Sequence, residues 1–299
     1  MTYISGLELW QWRQWAKQQI GAIRPESSSD LETELDFLLK EVAHLDRLAL
    51  RLETYRDQEQ IELQRSLTAL TTLWQQRLHE QRPLQQLLGV ASWRHFQLRV
   101  TPAVLIPRPE TESLIDLAVA HSDPSHQGGD WADLGTGSGA IALGLAMAFP
   151  KAKIHAVDWS AEAVAIATQN TQSLNLQNRV TFYQGSWLAP LTALNGQLSG
   201  IVSNPPYIPS AMITELQPEV TLHEPHLALD GGTDGLDALR HIIATAPQYL
   251  RPRGLLLLEM MAGQDQAVKA LLKQQGDYEE IQIYPDLAGI DRFARTYRR

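Results

Sequence analysis

The sequence predicts a doubly wound α/β domain with a mostly parallel sheet, preceded by a small helical bundle. Three observations predict it. Residues 1–85 carry apolar side chains at helical spacing and few glycines. From Asp130 onward, short apolar or β-branched runs alternate with helical segments, the pattern of parallel strands covered by helices. The first two of those runs end in a glycine-rich turn and in an acid, DLGTGSG and VD.

The bundle comes first. GLELWQWRQWAKQQI places Leu9, Trp12, Trp15 and Ile20 near helical spacing. SSSDLETELDFLLKEVAHL opens on residues that suit an N-cap and sets Leu31, Leu35, Leu38, Leu39 and Val42 on one side. A third helix is expected from Arg56 to Glu80, with Leu63, Leu67, Leu70 and Trp74 on one face. Trp10, Trp12 and Trp15 read as packing residues rather than a binding surface. Residues 86–107 change texture, and SWRHFQLRVTPAVLIPRPE suggests a short β-hairpin linking two domains. PRPETESLIDLAVAH restarts a helix, with Pro109 in its first turn and Glu110 and Glu112 at its positive dipole end. Residues 108–299 then form the α/β domain. DWADLG, KIHAVDWS, VTFYQG, GQLSGIVSN and GLLLLEM are the strands, and GAIALGLAMAF, AEAVAIATQNTQSL and LDALRHIIATAPQYL the helices.

Composition narrows the function. A net charge of −9 argues against a protein that holds bare DNA or RNA by neutralising phosphates. With no cysteine there is no disulfide and no thiolate-bound zinc, which fits a reducing cytoplasm. The start, MTYISGLELWQWRQW, lacks the basic and continuous apolar parts of a signal peptide. No run approaches the roughly 20 apolar residues that span a bilayer, so no membrane is expected.

The glycine turn points to a nucleoside cofactor. Residues 133–139 run Asp133-Leu134-Gly135-Thr136-Gly137-Ser138-Gly139 from a strand end into a helix, so backbone and helix N-terminus can face a ligand. Asp158, closing the next strand, can accept from both ribose hydroxyls. Gly135, Gly137 and Ala140 also satisfy a dinucleotide pattern, which keeps an NAD-linked oxidoreductase in play. Against it, Asp133 would oppose a pyrophosphate, and no hydride-transfer constellation stands out. S-adenosylmethionine, cationic and without phosphate, suits an acidic loop better; there Asp133 either meets the cofactor or orders the loop.

IVSNPPYIPS ends the fourth strand with Asn204-Pro205-Pro206-Tyr207, at the sheet edge where ligands of such sheets bind. A planar NH2 group is a poor nucleophile because its lone pair is delocalised. Two acceptors on its N–H bonds would orient it and draw density onto nitrogen. The Asn204 side-chain oxygen and the Pro205 carbonyl can be those acceptors, and the prolines stiffen the corner. Tyr207 offers a flat face for stacking. The motif therefore suits methylation of an amide or amine nitrogen.

Taken together these stretches resemble the protein-(glutamine-N5) methyltransferases that act on peptide chain release factors. RPLQQLLGVASWRHFQLRVTPAVLIPRPETESLID resembles that family's interdomain hairpin and PRPETE segment. DLGTGSGAIAL resembles its cofactor loop, NPPYIP its acceptor motif, HEPHLALDGGTDGLDALRHII its segment after that motif, and DLAGIDRFA its C-terminal hairpin. The resemblance implies a Rossmann-like S-adenosylmethionine-dependent methyltransferase sheet ending in an antiparallel hairpin, behind a helical substrate-recognition domain. It implies methyl transfer to the glutamine of the Gly-Gly-Gln motif of release factors, by a monomer. Residues 135–139 and Asp158 would bind the cofactor, Trp187 would flank its adenine, Asn204 would touch cofactor and substrate, and Pro205, Pro206 and Tyr207 the glutamine. Two positions depart from the common pattern: Ser186 stands where many relatives have Asp, and Met261 where many have Gly.

The remaining polar residues read as follows. Glu110 and Thr111 either line the substrate entrance, as the resemblance suggests, or cap a helix. Pro225 between His223 and His226, with no further ligand cluster, speaks against a metal. Glu224 braces the NPPY loop from a neighbouring segment. Glu259 ends a buried strand and pairs locally, and Asp286 and Arg292 are structural. The rival readings are an N6-adenine DNA methyltransferase or an RNA amine methyltransferase, both disfavoured by the acidic balance, the oxidoreductase, and a non-catalytic module.

Overall fold

The computed structural model describes residues 2–299. The chain divides into two compact units, the first ending at Leu88 and the second running Gly89–Arg299.

The first unit holds helices α1 (Gly6–Ile23), α2 (Ser28–Ala43), α3 (Arg47–Leu52), α4 (Leu67–His79) and α5 (Leu84–Leu88). A capping box starts α1: the Glu8 amide donates to Ser5 Oγ, and the Ser5 amide donates to the Glu8 carboxylate. Leu9, Ile20, Leu31, Leu35, Leu38, Leu39, Val42, Leu70 and Trp74 meet in one core, as their spacing predicts. The third helix is shorter than expected. Its proposed first turns are a 3-10 turn and the strand β2 (Ile61–Leu63), which pairs antiparallel with β1 (Thr2–Ile4). The reason is local. Ile61 and Leu63 are buried and Glu62 exposed, a period of two, and the Ser66 side chain accepts from the Ala69 amide to start α4.

The second unit opens with the hairpin β3 (Val90–Trp93) and β4 (Phe96–Arg99), then α6 (Ser113–His121). Its seven-stranded sheet comprises β5 (Asp130–Leu134), β6 (Lys153–Asp158), β7 (Val180–Gln184), β8 (Leu198–Ser203), β9 (Leu250–Glu259), β10 (Tyr278–Pro285) and β11 (Asp291–Arg298). The order is β10-β11-β9-β8-β5-β6-β7, parallel from β9 to β7 and antiparallel through β11 and β10. The helices α7 (Ala140–Ala148), α8 (Ala161–Ser173), α9 (Pro218–His223), α10 (Asp237–Tyr249) and α11 (Asp265–Gln275) complete the unit. One core gathers α6 and α7, another α10 and α11, so both sheet faces are covered. The hairpin belongs to this unit: Trp93, Phe96 and Leu98 enter the α6–α7 core, and Asn170 of α8 bonds both backbone groups of Arg99.

The strand order reverses between β5 and β8, because the chain runs outward through β6 and β7 and then crosses back. Leu134 pairs with both Val157 and Ser203, so the glycine turn, Asp158 and Asn204 leave the sheet side by side at one edge. That edge is the topological switch point where ligands of such sheets bind. Among the described residues no helix is long and apolar enough to cross a membrane.

Candidate active site

A cavity of about 640 Å³ opens at this edge, within the size range of small-molecule sites. Gly135, Gly137, Asp158, Trp187, Asn204 and Pro206 line it. Asp133, Thr136, Ser138, Gly139, Pro205 and Tyr207 are not among its lining residues; all but Tyr207 are buried.

Asp133 orders the loop. Its Oδ2 accepts from the Thr136 hydroxyl at 2.6 Å and from the Ala142 amide at 2.9 Å, satisfying an orphan donor in the first turn of α7. Its Oδ1 is buried without a partner, and burial pushes its pKa up to about 7. Gly139 enters α7 at φ +87, a left-handed conformation that costs glycine little, with Ala167 close beneath it. Asp158 accepts from the amides of Gly137 (2.8 Å) and Ser160 (2.9 Å); these bonds oppose the upward push of burial on its pKa. Trp187 holds φ +46, a strained setting for so large a residue, and its ring packs near Gly135.

Residues 204–207 are braced from several sides. The Asn204 Nδ2–H donates to Thr111 Oγ1 at 3.0 Å, and Thr111 is buried. With its nitrogen so engaged, the amide has its oxygen to offer to a ligand. Pro205 is buried. The Tyr207 hydroxyl turns inward and donates to Glu259 Oε1 at 3.2 Å. The Tyr207 carbonyl accepts from Gln264 Nε2 at 3.0 Å. Gly235 lies against that carbonyl so closely that a Cβ there would sit 2.3 Å from the oxygen. Ile208 joins the next segment through its amide to Leu229 and its carbonyl to Gly231.

Glu224 does not hold the NPPY loop directly. It is buried, and both its carboxylate oxygens accept from Arg108 Nη2, at 2.8 and 2.9 Å. This pair ties the PRPETE segment to the start of residues 225–228, of which Pro225, Leu227 and Ala228 line the cavity.

The cavity wall is acidic. None of its residues is Lys or Arg, whereas Asp158, Glu162, Asp230 and Asp237 are acidic. A cationic ligand would find counter-charge there.

The methyltransferase small domain family matches residues 116–283. Over 97% of its length the chain is 51% identical to the release factor glutamine methyltransferase of Thermosynechococcus vestitus, covering 98% of that protein. The corresponding figures for the release factor glutamine methyltransferase of Synechocystis sp. are 98%, 48% and 98%. The chain belongs to the release factor glutamine methyltransferases. A crystal structure of a methyltransferase from Pyrococcus furiosus shares the fold, at 18% identity and a TM-score of 0.50, over 69% of this chain and 89% of that one.

Several residues at this site have contacts that the sequence does not reveal. The Thr111 hydroxyl holds the Asn204 amide, across 93 positions of sequence. Gln264 follows no motif, yet its amide collects the Tyr207 carbonyl and the Met261 amide. Residues 102–105 and His241 line the cavity without any local sign in the sequence. Ser186 lines it beside Trp187, and Met261 opens the turn that Gln264 closes.

Proposed function

We propose that this methyltransferase transfers the methyl group of S-adenosylmethionine to the side-chain amide nitrogen, N5, of the glutamine in the Gly-Gly-Gln motif of peptide chain release factors. It does so as a monomer in the cytoplasm, where it supports translation termination. The observation that carries the reading is the Asn204 amide with its nitrogen fixed on Thr111 at the wall of an acidic cavity. S-adenosylmethionine, when bound, supplies an electrophilic methyl group. Residues 135–139, Asp158 and Trp187 would hold it. The Asn204 oxygen and the Pro205 carbonyl accept the two N–H bonds of the glutamine amide, and the Tyr207 ring supports its plane. The proton leaves after transfer, when the substituted nitrogen has become acidic, so the motif needs no carboxylate in contact with substrate. Alignment supplies most of the acceleration, on the order of 7–11 kcal/mol for reactants held in line. The first unit offers a docking surface for the release factor. The test is incubation with labelled S-adenosylmethionine and a release factor carrying Gln or Ala in its Gly-Gly-Gln motif. Label is expected on the Gln form alone; label on both or on neither defeats the reading.

A further inference from the structure

Gln264 is the N-cap residue of α11 and is buried, yet its side chain does not cap that helix. An N-cap favours Ser, Thr, Asp or Asn, whose short side chains reach the first helical amides. The Gln264 amide reaches other segments instead. Its Oε1 accepts from the Met261 amide at 3.0 Å. Its Nε2 donates to the Tyr207 carbonyl at 3.0 Å and to the Gly235 carbonyl at 3.3 Å. A backbone N–H on one side and carbonyls on the other leave this amide a single orientation. Among the described residues no other group donates to the Tyr207 carbonyl. The joint has no slack, since a Cβ on Gly235 would lie 2.7 Å from Nε2.

We propose that Gln264 is a positioning residue for methyl transfer: by gripping the Tyr207 carbonyl from the start of a packed helix, it fixes how residues 204–207 meet the substrate. The proposal rests on the functional reading above and deepens it. Pro205 and Pro206 fix their own φ but leave the plane of the Tyr207 peptide to be set by what its carbonyl meets. Beyond that carbonyl, Ile208 and Ser210 bond to residues 229–232. Gln264 holds the point where the stiff corner passes into that paired segment. The helix α11 anchors the grip by burying Val268 and Leu272.

Gln264→Met keeps the length of the side chain and removes both hydrogen-bonding ends. With the parent active on a release factor, and folded sites counted by cofactor-binding stoichiometry, it is expected to lower kcat about tenfold or more, as misplacement of a reacting group does. Its Kd for S-adenosylmethionine should stay within about threefold, because Gln264 is not in the cavity wall. Tyr207→Ala removes the ring that the grip places. Adding Gln264→Met to it should lower kcat by no more than about threefold further, the mark of a shared pathway. A kcat within about twofold of the parent, a matching loss of cofactor affinity, or effects that multiply in the double variant would each overturn the proposal. If Gln264→Met fails to fold, Gln264→Glu decides at alkaline pH. It still accepts from the Met261 amide but turns a carboxylate oxygen to the Tyr207 carbonyl, so a lowered kcat is expected and an unchanged one overturns the proposal. A parent inactive on release factors defeats the functional reading and this one with it; an active parent with an equally active Gln264→Met defeats only this one.

Discussion

Asn204 and Asp133 show how two polar side chains at one sheet edge take different work. Asn204 reaches the cavity with its nitrogen already spent on Thr111. Asn204→Ala should therefore lower turnover by about 100-fold, the scale seen when a preorganised polar group is removed. Single-turnover kinetics with saturating release factor checks this, and near-normal turnover would count against the assigned role. Asp133 works through the loop instead, and burial raises its pKa from 3.8 to about 7. The folded state thus holds this proton to higher pH than the unfolded chain does. The associated stability is complete below about pH 4 and is lost as pH rises through about 7. Asp133→Asn carries no such proton. Urea midpoints for parent and variant should diverge across that window in the variant's favour and run parallel above it; a constant difference would refute the assignment.

At the scale of elements, most of the sheet and its helices were legible because their periodicity is local. DWADL, KIHAVD and VTFYQ are strands, and each following helix or turn begins where caps and glycines indicate. The misreadings have equally local causes. Leu63, Leu67, Leu70 and Trp74 fit a helical period by coincidence, since Leu63 belongs to a three-residue strand whose partner is the chain's own beginning. The helix α11 is passed over because DQAVKALLKQQ buries only Val268 and Leu272, a thin apolar stripe. The Arg108–Glu224 pair joins two segments 116 positions apart. Arg108→Leu should cost on the order of 3 kcal/mol of stability by stranding a buried carboxylate. It should also weaken cofactor binding, because residues 225–228 lose their tie. Chemical denaturation and calorimetry with S-adenosylmethionine check the two effects, and loss of stability with unchanged affinity would separate that segment from cofactor binding.

The whole molecule contains two units, each with its own core. Residues 89–299 alone should therefore fold cooperatively and bind S-adenosylmethionine as the full chain does, while their KM for a release factor rises. A truncated chain with unchanged KM would remove the first unit from substrate docking. The sequence by itself determined the class of fold, the glycine-rich turn, the Asn204–Tyr207 corner that ends a strand and the resemblance to glutamine methyltransferases, because each is written in contiguous residues whose spacing and backbone chemistry act locally. Only the tertiary structure decided which groups hold that corner in place. Thr111, Glu259, Gln264 and the Arg108–Glu224 pair come from segments far apart in the chain. A hydrogen bond depends on a few tenths of an ångström between such segments, and it leaves no period or motif in the sequence of either.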